Sequence, residues 1–207
     1  MEDEVEKQGF IANHFVQLFR AGAVGDTQRL LQAVSPKVTA EMNENLMREF
    51  SHEEVKSALD SICDLKAPGP DGMPGLFYKS FWDTVGEQVS EEVLAVLNGG
   101  AMPEDWNATV IALIPKVTNP ERVTKLRPIS LCNVVYKLIS KVLANRQKVV
   151  LPEIITPTQS AFVPGRLISD IILIAYELTH YMMNKRSGGT GLAAIKLDMS
   201  KAYDRVE

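Results

Sequence analysis

Lys196-Leu197-Asp198-Met199-Ser200-Lys201-Ala202-Tyr203-Asp204-Arg205-Val206-Glu207 closes a chain of 207 residues. Ile195 and Leu197 fall on one side of an extended run and Lys196 and Asp198 on the other, so the spacing predicts a strand ending at Asp198. A carboxylate at a strand end can hold a divalent cation, because hard ions such as magnesium take oxygen ligands. One carboxylate is too few for a two-metal phosphoryl-transfer centre, which needs several converging acidic oxygens. The others are expected beyond Glu207. From its residues alone, Asp198 also fits a salt-bridged strand end, and Tyr203 a core or interface aromatic.

Upstream, the charge is unevenly spread. The whole chain is at −4, yet residues 110–150 carry eight basic side chains and one acidic. Such a block is a candidate phosphate-facing surface, with a solvated helix face as the alternative. No apolar run approaches the ~20 residues that span a bilayer, and the acidic start Met1-Glu2-Asp3-Glu4 does not resemble a secretory signal. Cys63 and Cys132 stand far apart and read as reduced, buried small hydrophobes. His14, His52 and His180 have no metal-ligand spacing.

Apolar spacing at Phe10, Ile11, Phe15, Leu18 and Phe19 predicts a helix over about 5–20. Ser51-His52-Glu53-Glu54 is a capping box, and Val55, Ala58, Leu59 and Ile62 follow at i, i+3, i+4 and i+7, which predicts a helix to about Asp64. Lys66 to Gly75 holds three prolines and three glycines, so it is a linker or a rigid turn packed on its neighbours; its turn dipeptides favour the turn. Helices are expected over 76–85 and 87–97 with a break near Gly86, then a short strand from Thr109 to Ile114 stopped by Pro115. A new region begins at Pro128. A long helix over 132–150, with Val134, Leu138, Val142 and Val149 on its apolar side, is stopped by Pro152. Ala161 to Arg166 is a turn, and a helix over 167–185 leads through Gly191 into the last strand.

Five segments, in order, resemble the reverse transcriptases of LINE-type (non-long-terminal-repeat) retrotransposons, especially those of plant genomes. They are Lys66-Ala67-Pro68-Gly69-Pro70-Asp71-Gly72, Ala112-Leu113-Ile114-Pro115-Lys116, Leu126-Arg127-Pro128-Ile129-Ser130-Leu131-Cys132-Asn133, Gln159-Ser160-Ala161-Phe162-Val163-Pro164-Gly165-Arg166, and Lys196 to Asp204. The resemblance implies a helix-rich α+β fold, the fingers and first palm strand of a right-hand polymerase. Residues 1–65 would be an N-terminal helical extension, 66–190 fingers, and 191–207 the start of the palm.

It further implies RNA-directed DNA synthesis by the parent enzyme. The partners would be an RNA template, a DNA primer and deoxynucleoside triphosphates, with Mg2+ (Mn2+ as the alternative) as cofactor. Asp198 matches the first catalytic aspartate, and the Met199 carbonyl would add a metal oxygen. Tyr203 matches the residue whose ring excludes a ribose 2′-hydroxyl. Lys116, Arg127 and Arg166 match basic positions that meet nucleotide or template phosphates, where the arginine fork bonds oxygens in pairs. Arg122, Lys125, Lys137, Lys141, Arg146 and Lys148 would add diffuse attraction, and Asp204 reads as a cap or ion-pair residue.

The family completes its metal site with a paired-aspartate turn, and no two aspartates are adjacent in this sequence. Lys125, Ile171 and Gln147 also depart from the family's pattern. A partial polymerase domain, inactive by itself, is therefore the expectation. A non-catalytic nucleic-acid-binding fragment or a remnant of a decayed element is the alternative. The compartment, nucleus or cytoplasm, is not encoded in any signal.

Overall fold

The computed structural model describes residues 2–20, 22, 27–32, 34–185 and 191–195. Its elements are α1 (Glu2–Leu18), α2 (Gln28–Leu31), α3 (Ala40–Met47), α4 (His52–Asp60), α5 (Gly75–Ser80), α6 (Trp82–Leu97), β1 (Thr109–Pro115), a 3-10 turn (Val123–Lys125), β2 (Leu126–Cys132), α7 (Val134–Ile154) and α8 (Ile168–Asn184). This is a helix-rich α+β chain with a single two-stranded sheet among the described residues. None of the described helices is long and apolar enough to cross a membrane.

The chain divides into two compact units. One comprises Lys37–Pro120 and Lys125–Gly165, and the other Met1–Pro36, Glu121–Thr124 and Arg166–Glu207. In the first, α4 buries Val55, Ala58 and Leu59 as the spacing predicts; the helix ends at Asp60, short of the expected Asp64, and Ile62 is buried just beyond it. These side chains meet Tyr78 of α5, Val93 and Leu94 of α6, and Val134, Leu138, Ile139 and Val142 of α7. Packing therefore runs across residue 65, joining α4 to the elements after it in one core.

Two cationic side chains hold α4 at its ends. Lys79 Nζ donates to the Ile62 carbonyl at 2.6 Å, the Asp60 carbonyl at 3.2 Å and Asp64 Oδ1 at 2.6 Å, satisfying acceptors left over where the helix stops. At the other end the capping box forms, with the Ser51 N–H donating to Glu54 Oε2 at 3.0 Å. Arg146 of α7 then grips the same carboxylate, Nε to Oε1 at 2.7 Å and a terminal nitrogen to Oε2 at 2.8 Å. Its remaining donors bond the carbonyls of Leu46 (3.0 Å), Arg48 and Glu49 (2.8 Å), and the guanidinium lies 3.4 Å from the centroid of the Phe50 ring.

The Arg146 hydrogen bond, helped by the Ser51 amide and opposed by burial, holds the Glu54 carboxyl below its ordinary range. A carboxyl depressed in the folded state contributes stability above the unfolded value of about 4.3, and that contribution is lost as pH falls through the lower folded value. Glu54→Gln should therefore flatten the acid limb of a stability–pH curve while lowering stability at neutral pH. Equal acid limbs in variant and parent would show that Glu54 carries none of it.

Several expectations are corrected. The break between α5 and α6 falls at Phe81 (φ −111°, ψ 20°), while Gly86 lies inside α6. A Cβ at Gly86 would sit 2.6 Å from the Trp82 indole, so the glycine makes room for a ring and does not interrupt the helix. Pro152 sits in the last turn of α7 and does not stop the helix, which runs on to Ile154; it removes one i→i−4 bond there. Val149 is exposed, and its neighbour Val150 is the buried residue of that turn of α7. Cys63 is exposed, in the loop after α4, and Cys132 is half-buried; both are free thiols. Nothing in the local pattern predicts helix α3 or strand β2.

In the second unit, α1 buries Phe15, while Phe10 and Phe19 of the expected stripe are 69% and 46% exposed. The Phe15 ring packs edge-on with His14 and stacks on Phe19. Helix α8 forms where periodicity predicts it, with no buried residue. Residues 191–195 have no strand assigned. The remainder of the expected last strand lies outside the described residues.

Candidate nucleic-acid interface

β1 and β2 pair antiparallel in the register Thr109↔Cys132 through Ile114↔Arg127 to Pro115↔Leu126. The Lys116 N–H donates to the Lys125 carbonyl at 2.8 Å, which carries the ladder one pair further. Opposed residues of an antiparallel pair share a face, as do residues two apart. Lys116, Lys125 and Arg127 therefore lie on one face with Ile114 between them, and all four are exposed. The Arg127 backbone belongs to the ladder opposite Ile114, while its guanidinium makes no hydrogen bond or ion pair with any described residue.

The same count explains how β2 accommodates a proline. Leu113↔Pro128 falls in a non-hydrogen-bonded pair, where the Pro128 nitrogen points out of the ladder. A proline in the run Leu126–Cys132 hides the strand from sequence reading, because prolines mark strand ends far more often than edge strands.

The ribbon is little covered. Neither strand contains a buried residue, and Val110, Ile111 and Ile114 are 49%, 37% and 50% exposed. It is anchored at its root instead. Asn133, between the last residue of β2 and the first of α7, is 9% exposed. Its Oδ1 accepts the Asp71 N–H at 3.2 Å, and its Nδ2 donates to the Asp105 carbonyl at 3.3 Å. The Lys66–Gly75 segment is thus a packed turn. The Gly72 N–H donates to the Gly69 carbonyl at 3.0 Å, the Met73 N–H to Asp71 Oδ1 at 3.0 Å, and Lys137 Nζ to the Ala67 carbonyl at 2.9 Å. Gly69 lies so close that a Cβ there would fall 2.3 Å from the Asn133 nitrogen.

The basic block therefore splits. Lys116, Lys125 and Arg127 are exposed on the ribbon, whereas Lys137 bonds the Ala67 carbonyl and the Arg146 side chain is buried against Glu54. Arg146 was expected to give diffuse phosphate attraction; it is instead a buried clasp, its side chain 9% exposed and paired with Glu54. Arg166 follows Gly165 (φ +78°) into α8, is half-buried, and belongs to the other unit from Lys116 and Arg127. Asp198, Met199, Tyr203 and Asp204 lie outside the described residues. Among the described residues no three His, Cys, Asp or Glu side chains gather to hold a metal ion. Asn133 received no role from sequence reasoning. Its one signal, an Asn before a helix, points to an N-cap that its side chain does not make.

Residues 114–207 match the reverse transcriptase (RNA-dependent DNA polymerase) family. The chain is 34% identical over 172 residues to the transposon TX1 uncharacterized 149 kDa protein of Xenopus laevis, covering 83% of this chain and 13% of that protein. It is 24% identical over 208 residues to the probable RNA-directed DNA polymerase from transposon BS of Drosophila melanogaster, covering 99% and 23%. It is also 27% identical over 164 residues to the retrovirus-related Pol polyprotein from type-1 retrotransposable element R2 of Nasonia vitripennis, covering 79% and 15%. This chain belongs to the reverse transcriptases of LINE-type retrotransposons and represents part of that domain. It spans less than a quarter of the length of each of these relatives. The family works on RNA templates with nucleotide substrates and uses divalent metal ions.

Proposed function

We propose that this chain supplies the fingers of an RNA-directed DNA polymerase, and that the ribbon face bearing Lys116 and Arg127 meets phosphates of the RNA template or the incoming deoxynucleoside triphosphate. The observation that carries this is the register. It sets two cations, with Lys125 as a third, on one exposed face within the family-matched segment. Residues 1–65 form an extension to the fingers, 66–190 the fingers, and 191–207 the start of the palm. Asp198 and the Met199 carbonyl are the groups for Mg2+, with Mn2+ as the alternative. Tyr203 limits the sugar to deoxyribose, Arg166 adds a bond to phosphate, and the second strand is a DNA primer. When bound, the metal ions activate a primer 3′-hydroxyl and steady the leaving pyrophosphate.

A salt titration of binding to a short oligouridylate tests the ribbon. Removing one phosphate-binding cation flattens the log affinity–log salt slope by about 0.7 for a single strand, so Lys116→Ala with Arg127→Ala should remove about 1.4. An unchanged slope would remove the ribbon from the interface. Because no two aspartates are adjacent in these residues, the 207-residue chain alone is expected to give no primer extension with magnesium. Incorporation that Asp198→Ala abolishes would overturn that expectation.

A further inference from the structure

We propose that Asn133 is a positioning residue: it fixes the root of the β1–β2 ribbon and thereby sets where Arg127 and Lys116 present their charges. The proposal rests on the reading of the ribbon face as a phosphate-binding surface.

A ribbon with no fully buried residue in either strand is held in direction mainly by its ends. At the root, Asn133 ties three segments together. Its backbone continues β2, its Nδ2 reaches the Asp105 carbonyl four residues before β1, and its Oδ1 takes the Asp71 amide of the Pro-Gly turn. Asp105 is itself in the left-handed region (φ 70°). Both strands are thus referred to the same rigid turn, which Lys137 of α7 also holds through the Ala67 carbonyl. Arg127 lies five residues from Cys132, an arm of about 17 Å at ~3.4 Å per residue. A small rotation at the root moves the guanidinium by several times the displacement at the root.

Asn133 stands at the N-cap of α7 with extended backbone (φ −60°, ψ 150°), the geometry in which an Asn oxygen ordinarily accepts an amide of its own helix. No such bond forms. The oxygen is taken by Asp71 instead, so the side chain serves the ribbon root at the expense of the helix start.

That diversion makes a discriminating variant. In Asn133→Ser the hydroxyl is too short for Asp71 and Asp105 but is a favoured N-cap, so α7 keeps its start while the tie is cut. The full 207-residue chain is titrated with a short oligouridylate over a range of salt. The titration is made in parent, Asn133→Ser, Arg127→Ala and double-variant backgrounds, with hydrogen exchange read on the 126–132 amides. The expected result is an affinity loss of ~5-fold in Asn133→Ser and a slope shallower by about 0.7, as in Arg127→Ala. The double variant should lose less than the sum of the two single losses, because Asn133 acts in part through that charge. The ribbon amides should exchange faster and those of α7 should not.

Additive losses, or a weakened affinity with the parent's slope, would make Asn133 a merely structural residue and overturn the proposal. Unchanged ribbon exchange would overturn it as well. An Arg127→Ala chain that binds like the parent would sink the phosphate-face reading itself; the exchange data would still decide whether Asn133 orients the ribbon. If Asn133→Ser does not fold, the N-cap is not restored, and the claim that ribbon direction separates from helix stability fails.

Discussion

Gly69→Ala is expected to destabilise the larger unit by about 3 kcal/mol or more, at the upper end of overpacking effects. The added methyl would meet backbone, with the Asn133 nitrogen at 2.3 Å and the Cys132 carbonyl carbon at 2.4 Å. Flexible side chains can swing away from such a clash; here the obstructing atoms belong to the junction of β2 and α7, so the turn or the strand end must shift. Gly72, three residues on, makes the opposite case. Its φ is +70° and the space around it is open, so Gly72→Ala should cost about 1–2 kcal/mol of backbone strain alone. Urea unfolding followed by tryptophan emission measures both, because Trp82 and Trp106 lie in this unit. A Gly69→Ala chain as stable as Gly72→Ala would mean that the Pro-Gly segment is a loose linker and not a packed turn.

Arg146→Met should cost about 3 kcal/mol, the lower end of what is lost when one partner of a buried ion pair is removed. The discount reflects Glu54, whose side chain remains 24% exposed and can recover some hydration. Methionine keeps much of the apolar stem, so the loss reports the guanidinium: the paired bonds to Glu54, those to three carbonyls over 46–49, and the stacking on Phe50. At roughly 2–4 °C per kcal/mol for a chain of this size, the thermal midpoint should fall by about 6–12 °C. Arg146→Lys retains the charge without the fork and should recover less than half of this. A midpoint within a degree or so of the parent would return Arg146 to the solvent-facing cations of the basic block.

Taken together, the two variants bear on how the chain is organised. The family match begins at residue 114, yet most of the core beneath it, from Val55 to Leu94, precedes that point. Lys79, Arg146 and Asn133 each join segments on both sides of a boundary that motif or composition would draw. Residues 37–113 are therefore structural members of the unit that carries the ribbon.

Much of this was legible in the sequence. The α4 stripe, the capping box, β1 and helices α7 and α8 follow from periodicity and from turn residues, which act over a few positions. The family followed from five ordered segments, and the charge count located the basic block. Local pattern misled at Gly86, where a missing side chain looked like a helix break but accommodates Trp82, and at Pro128, where an edge position excuses a proline.

The sequence by itself determined the helical elements, the concentration of positive charge and the membership in a polymerase family, because each is written in neighbouring residues. Only the tertiary structure decided which cations are exposed and which are clasps, and what Asn133 and Gly69 touch. Those assignments depend on partners 28 to 100 positions away, as in Asp105 to Asn133 and Leu46 to Arg146. An arginine reads the same in sequence whether a carboxylate waits for it across the core or water does.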